Sequence, residues 1–255
     1  MTIKKFAEKN MIRLIFLFTV FFSIIVFTRS ARAEFVLSAY GGVADTMKTD
    51  VKLSQPGGTD LTFSDVSWAD KSFDGPIYYG LRLNYWFNNY KGLGVCIDFT
   101  HAKMYAQLDD TVNVTGTRSG VPTAGTEPLN NTFKELSFSH GYNLLTINGM
   151  YRWFPKKTRD GTFLGRLQPY IGLGFGIAVP HVEVELNGDK TEEYQYTGPA
   201  FQGLCGVNID LYKKFSIFLE YKLTYADMDA DLAGGGTVEI KPWTNHLIFG
   251  LSYTF

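Results

Sequence analysis

Along residues 76–87, PIYYGLRLNYWF, large apolar side chains recur at every second position. Ile77, Tyr79, Leu81, Leu83, Tyr85 and Phe87 fall on one side of an extended chain, and Tyr78, Gly80, Arg82, Asn84 and Trp86 on the other. A two-residue beat is the period of a β-strand with one apolar and one polar face. The same beat runs through 34–44, 92–105, 142–154, 167–180, 195–210, 215–226 and 244–255, so the pattern predicts eight strands. In 92–105, Leu93, Val95, Ile97 and Phe99 oppose Cys96, Asp98 and Thr100. In 215–226, Phe215, Ile217, Leu219, Tyr221, Leu223 and Tyr225 oppose Ser216, Glu220, Lys222 and Thr224.

A soluble β-sandwich also alternates, and the connections decide between it and a barrel. Counted from the first strand, the odd-to-even links are long: 45–75, 106–141, 181–194 and 227–243. The even-to-odd links are shorter: NNYK, PKKTRDGTFLGR and LYKK. Long loops on one rim and tight turns on the other are the plan of an outer-membrane barrel, with its turns in the periplasm. The strand lengths match the 9–11 or so residues that a tilted membrane strand needs. Closure also leaves no bare backbone edge in lipid. The expected fold is therefore all-β, an eight-stranded antiparallel up-and-down transmembrane β-barrel spanning 34–255.

An aromatic girdle is expected at the strand ends from Tyr40, Tyr79, Tyr85, Trp86, Phe87, Tyr151, Trp153, Phe154, Tyr225, Trp243 and Tyr253. Eight strands enclose only enough room for side chains. The lumen should thus be a packed polar core holding Arg82, Asn84, Asp98, Arg152, Asn208, Glu220, Lys222 and His246.

Composition narrows the picture further. Lys4, Lys5, Lys9 and Arg13 precede an apolar run from Leu14 to Phe27, and Ala31-Arg32-Ala33 follows. This is the pattern of a secretory signal peptide over 1–33, cleaved after Ala33, with a core too short for a spanning helix. Net charge is −1, which points to no nucleic-acid partner. Cys96 and Cys205 fall on opposite faces of their strands and are expected as isolated thiols. The long loops are acidic and the short turns basic, as in Lys91, Lys156, Lys157, Arg159, Arg166, Lys213 and Lys214.

No catalytic signature stands out: there is no G-x-S-x-G, H-E-x-x-H, phosphate loop or CxxC pair. Candidate chemistry rests on the four histidines, His101, His140, His181 and His246, which the topology places near the outer rim. DFTHAK and PHVEVE each set a carboxylate within two or three residues of a histidine, a spacing that supplies metal ligands or an acid/base pair across strands. His101 and His181 share the parity of outward-facing residues. To act, each must lie above the membrane band or follow a bulge; otherwise they are ordinary amphipathic rim residues.

The blocks PIYYGLRLNYWF, DFTHAKMYA, GYNLLTING, YIGLGFGIAVPHVEVE, YTGPAFQG, FLEYKLTYADMDADL and TNHLIFGLSYTF together resemble the outer-membrane β-barrel proteins grouped with rhizobial lipid A oxidase. The likeness runs over 34–255 and belongs more broadly with small OmpA-like and OmpW-like barrels. It implies an oxidation of the lipid A glucosamine to 2-aminogluconate at the outer leaflet. Dioxygen would be co-substrate, with a redox metal, iron or copper, or an organic cofactor. The metal set expected for this chemistry is His101, His181 and Glu183, with His101, Asp98, Lys103 and His140 as catalytic candidates. Expected partners are outer-membrane lipids and lipopolysaccharide, together with the barrel assembly machinery. The latter reads a terminal aromatic, here Phe255, and the barrel is expected as a monomer. Two other readings remain: a non-enzymatic structural or adhesive barrel, and a lipid A acyl-chain hydrolase built on Ser139 and His140. Adjacent residues on a strand point to opposite faces, which counts against the hydrolase.

Overall fold

The computed structural model describes residues 34–87, 89–153 and 164–255. The expected signal peptide, Phe154 and most of the 155–166 turn lie outside the described residues. The first strands in chain order are β1 (Glu34–Thr46), β2 (Thr49–Gln55), β3 (Thr59–Val66), β4 (Trp68–Ala69), β5 (Tyr79–Trp86) and β6 (Leu93–Ala106). There follow β7 (Thr111–Arg118), β8 (Val121–Pro128), β9 (Glu135–Arg152), β10 (Leu167–Ala178), β11 (His181–Leu186) and β12 (Asp189–Tyr194). Then come β13 (Gly198–Tyr212), β14 (Phe215–Ala226), β15 (Met228–Asp231), β16 (Thr237–Ile240) and β17 (Trp243–Thr254). Among the described residues no helix is long and apolar enough to cross a membrane.

Eight strands, one for each segment that alternates in the sequence, close the barrel. They run β9-β10-β13-β14-β17-β1-β5-β6, and β6 pairs back onto β9, so the ring has no edge. All neighbours are antiparallel, with registers such as Arg82 opposite Asp98 and Lys222 opposite His246. Leu81, Ile147, Leu173, Phe175, Leu219, Leu247 and Phe249 are exposed on the outer wall, as a lipid-facing band requires. Cys96 is buried in the lumen and Cys205 exposed outside, and both are free.

Aromatic contacts mark the two borders of the band. At the turn end, Phe35 meets Tyr85, Tyr151 meets Trp153 and Tyr253 meets Phe255, with ring centroids 4.9–5.1 Å apart. At the loop end, Tyr79 faces Phe99, and Tyr225 lies between Phe201 and Trp243. Two expected girdle members turn inward instead. Tyr40 and Trp86 are buried in the lumen, Tyr40 donating to Asp98 and Trp86 lying under the Arg152 guanidinium at 4.3 Å. Both share the parity of their strands' polar faces, so strand phase overrides their aromatic character.

The lumen is filled by an ion network. Arg82 donates to both oxygens of Glu220, at 2.5 and 2.7 Å, and to Asp98 at 3.0 Å. Lys222 donates to Asp98 at 2.7 Å and also reaches Tyr40 and Thr100. Gln202 bridges Asp98 and Asn148, and Tyr170 closes on Glu220. Two cations against two anions, each buried and hydrogen-bonded, is the form in which charge persists in an interior. His246 belongs to this interior too, between Tyr78 and Thr224.

The long links are not open loops. They contribute β2, β3, β7, β8, β15 and β16 to a six-stranded sheet ordered β15-β16-β2-β3-β7-β8. One face of that sheet is apolar: Val51, Leu53, Leu61, Phe63, Val112, Val114, Val238 and Ile240 are all buried. This face joins the cluster that contains Phe133, Leu136 and Phe138 next to or on β9 and Val182 and Val184 on β11, and Phe63 packs edge-on to Phe133 at 5.4 Å. The cap therefore continues the barrel's buried apolar cluster into the long links.

Candidate functional site

β9 is the longest strand, 18 residues, and serves two regions. Its 144–152 part pairs with β10 in the barrel wall, while Glu135–Ser137 pairs with β11 beyond the wall. Between the two parts the β6–β9 ladder steps from Ala102 opposite Tyr142 to Met104 opposite Phe138. Lys103 alone thus faces Ser139, His140 and Gly141. Gly141 sits at φ 135°, a conformation that side chains strain to adopt, so glycine is what lets the bulge form. Bulges re-aim side chains, and this one does so.

The result is a convergence on a single carboxylate oxygen. Glu183 Oε1 meets Ser139 Oγ at 2.5 Å, His140 Nδ1 at 2.5 Å and His181 Nδ1 at 2.8 Å. The two imidazoles lie edge to face, 5.1 Å apart. Tyr194 braces both, with its ring 4.7 Å from that of His181 and its hydroxyl donating to the His140 carbonyl. Glu183 is 5% exposed, whereas the His140 side chain is 60% exposed, so the cluster is closed beneath and open above. Burial alone would raise the Glu183 carboxyl, but hydrogen bonds from Ser139, His140, Glu135 and His181 outweigh it and hold the group at about 2. Neighbouring Glu135 is pushed up, by burial and then by its hydrogen bond to Glu183.

Of the residues singled out in the sequence, the structure brings together His140, His181 and Glu183. Asp98 is not at the rim but in the lumen network, committed to Arg82, Lys222, Tyr40 and Gln202. Lys103 is buried and spends its ammonium on the carbonyls of Asp74 and Gly75, where it anchors the first cap segment. His101 lies level with the outer aromatic border, stacked on Tyr79 at 4.7 Å, with Nδ1 on Asn143 at 2.8 Å. It is 4% exposed, and it stands outside the cluster of three whose ligand atoms lie within 4.8 Å of one another. Ser139, Tyr194 and Glu135 carry no motif that marks them as supports; only the bulge brings Ser139 and His140 to the same carboxylate.

The same atoms argue against a hydrolytic triad. A relay needs serine on one imidazole nitrogen and the acid on the other. Here Ser139 and Glu183 both meet Nδ1 of His140, at 2.9 and 2.5 Å.

A sealed eight-stranded barrel with apolar outer walls, aromatic borders and a polar cluster beyond one border defines an outer-membrane protein. The chain belongs to the outer membrane protein beta-barrel domain family, whose model matches residues 42–255. Its place is the bacterial outer membrane. Among solved structures it is similar to Neisserial surface protein A, with 13% identity and TM-score 0.42, covering 88% of this chain and 99% of that one. It is likewise similar to OprG of Pseudomonas aeruginosa, with 16% identity and TM-score 0.40, covering 88% and 97%. Ail of Yersinia pestis matches at 13% identity and TM-score 0.36, covering 88% and 98%. No match is found among curated proteins.

Proposed function

We propose that this outer-membrane barrel acts on lipid A at the outer leaflet, as an oxidase that converts its glucosamine to 2-aminogluconate. The observation that carries the proposal is the position of the His140–His181–Glu183 cluster. Along β9 it begins three residues beyond Asn143, the partner of His101 at the outer aromatic border, and its open side is the exposed His140. That height suits the sugars of a lipid A head group beside the protein wall, whereas the lumen is closed by the Arg82–Asp98–Glu220–Lys222 network and its cavity, lined by Glu34, Asn84, Trp86 and Arg152, lies toward the turn end.

The electron count is simple. The free hemiacetal at the anomeric carbon gives up two electrons with its C–H and O–H protons to dioxygen, which leaves as hydrogen peroxide, and water opens the resulting lactone to an acid one oxygen heavier. Dioxygen chemistry on a sugar calls for a redox-active group, and two imidazoles with a carboxylate are a donor set of the kind that holds one. What the chain's own residues contribute is local. Glu183 stays ionised within its hydrogen bonds, His140 presents the exposed side of the cluster, and Tyr194 fixes both rings. Lipopolysaccharide is then both surroundings and substrate. Phe255, whose amide is tied to Phe35 and whose ring is exposed, suits recognition by assembly machinery.

The folded cap favours a second reading. Its edge strand β8 is largely exposed, which suits a structural or adhesive role without chemistry. Mass spectra of lipid A from cells with and without the gene separate the two. A gain of one oxygen per lipid, present only with the gene, is expected for the oxidase. Identical spectra would overturn it in favour of the adhesive barrel, and loss of an acyl chain would favour a hydrolase.

A further inference from the structure

The geometry points to a divalent first-row transition-metal site formed by His140, His181 and Glu183, with His140 rather than His101 as the second imidazole. It shares its residues with the proposed lipid A chemistry and rests on that reading only for the use to which the metal is put.

Three features carry it. The first is convergence: one ligand atom from each residue lies within 4.8 Å of the others. Around an ion with metal–ligand distances of about 2.0–2.2 Å, donor atoms stand about 3–4 Å apart. The histidine nitrogens now touching Glu183 need only back away by a fraction of an ångström to admit one. The second is construction. His181 and Glu183 are two apart on β11 and so share a face, while His140 is delivered from β9 by the bulge at Gly141. Ser139 and Tyr194 orient the set from behind, as supporting hydrogen bonds do in metal sites.

The third feature is charge. Glu183 is buried and its hydrogen-bond partners are Ser137, Ser139, His140, Glu135 and His181; among the described residues none of them is a lysine or arginine. Lys190 acts on Glu183 only through space, because its ammonium pairs with Glu192 and stands 3.8 Å from Glu135. A carboxylate with no lysine or arginine bound to it can turn to a divalent ion without breaking an ion pair, and two imidazoles with one carboxylate select zinc, cobalt, iron or copper over calcium or magnesium. The exposed side of His140 leaves coordination positions open.

The test uses the full chain, folded in detergent and stripped with a chelator, titrated with Co(II). We expect one equivalent to bind with a visible ligand-field spectrum that Zn(II) bleaches. H140A, H181A and E183Q should each weaken binding by at least about tenfold, whereas H101A should bind as the wild type does. The unheated chain's faster migration on gels reports that each variant is folded. Absence of stoichiometric Co(II) in the folded wild type, or equal binding by folded H140A and H181A, overturns the site. So does loss of binding confined to H101A. The outcomes stay separable from the lipid result: metal bound but lipid A unmodified sinks the oxidase alone, and oxidised lipid without bound metal sinks this site alone.

Discussion

Two buried carboxylates illustrate how much a residue's companions decide. Asp98 sits with Arg82 and Lys222 in the lumen, its charge cancelled by permanent cations. Glu183 sits with imidazoles and hydroxyls, which compensate it only conditionally. The first arrangement is structural and the second leaves room for a ligand. Asp98→Ala should therefore leave buried Lys222 without a carboxylate beside an Arg82 that keeps Glu220, and cost about 3–5 kcal/mol, seen as a lower guanidinium midpoint in micelles; an unchanged midpoint would mean that the network is energetically idle. At this scale parity was a reliable guide. It placed Arg82, Asp98, Glu220, Lys222 and His246 indoors and Cys205 outdoors, because a strand's phase is fixed by every residue along it. Tyr40 and Trp86 were expected in the girdle from their aromatic character, and strand phase turns both inward instead.

At the scale of elements, the eight barrel strands were legible because each carries a long, uninterrupted beat that one lipid face and one packed face enforce. The cap strands were not. Their alternation is present, as in Val51 and Leu53 or Leu61 and Phe63, but it lasts only a few residues and lies among the Gly, Asp and Thr that ordinarily mark loops. The composition of the candidate site was half legible for a related reason. Parity runs straight through 139–141, whereas the chain inserts a bulge there, and no residue but Gly141 hints at it. Replacing that glycine tests the point. A methyl group on Gly141 would meet the Asn143 side chain at 2.5 Å from a backbone at φ 135°, a strain of about 1–3 kcal/mol. Gly141→Ala should thus swing His140 away from Glu183 and weaken Co(II) binding, while the barrel retains its heat-dependent gel mobility. Undiminished binding in that variant would show that the bulge does not position the site.

On the scale of the molecule, the barrel divides its labour between an inside that is filled and an outer end that is elaborated. Charge and side-chain volume seal the lumen, so any activity must be exercised at the rim, on what lies beside the wall or above it. The apolar band with its aromatic borders then fixes how high the His140–His181–Glu183 cluster stands relative to lipid. This division was readable in advance from unequal links and strand number, since eight strands cannot hold a water-filled channel. What the cap would be was not readable, because its core forms between segments far apart in the chain, such as Phe63 and Phe133.

The most direct test of the account is to give purified lipid A with a free anomeric hydroxyl, and dioxygen, to the folded chain in micelles and to follow the lipid by mass spectrometry, with Glu183→Ala alongside. The account predicts a product one oxygen heavier from the wild type and none from the variant, both chains migrating as folded barrels. Equal conversion by the two, or none by a metal-loaded wild type, would contradict it.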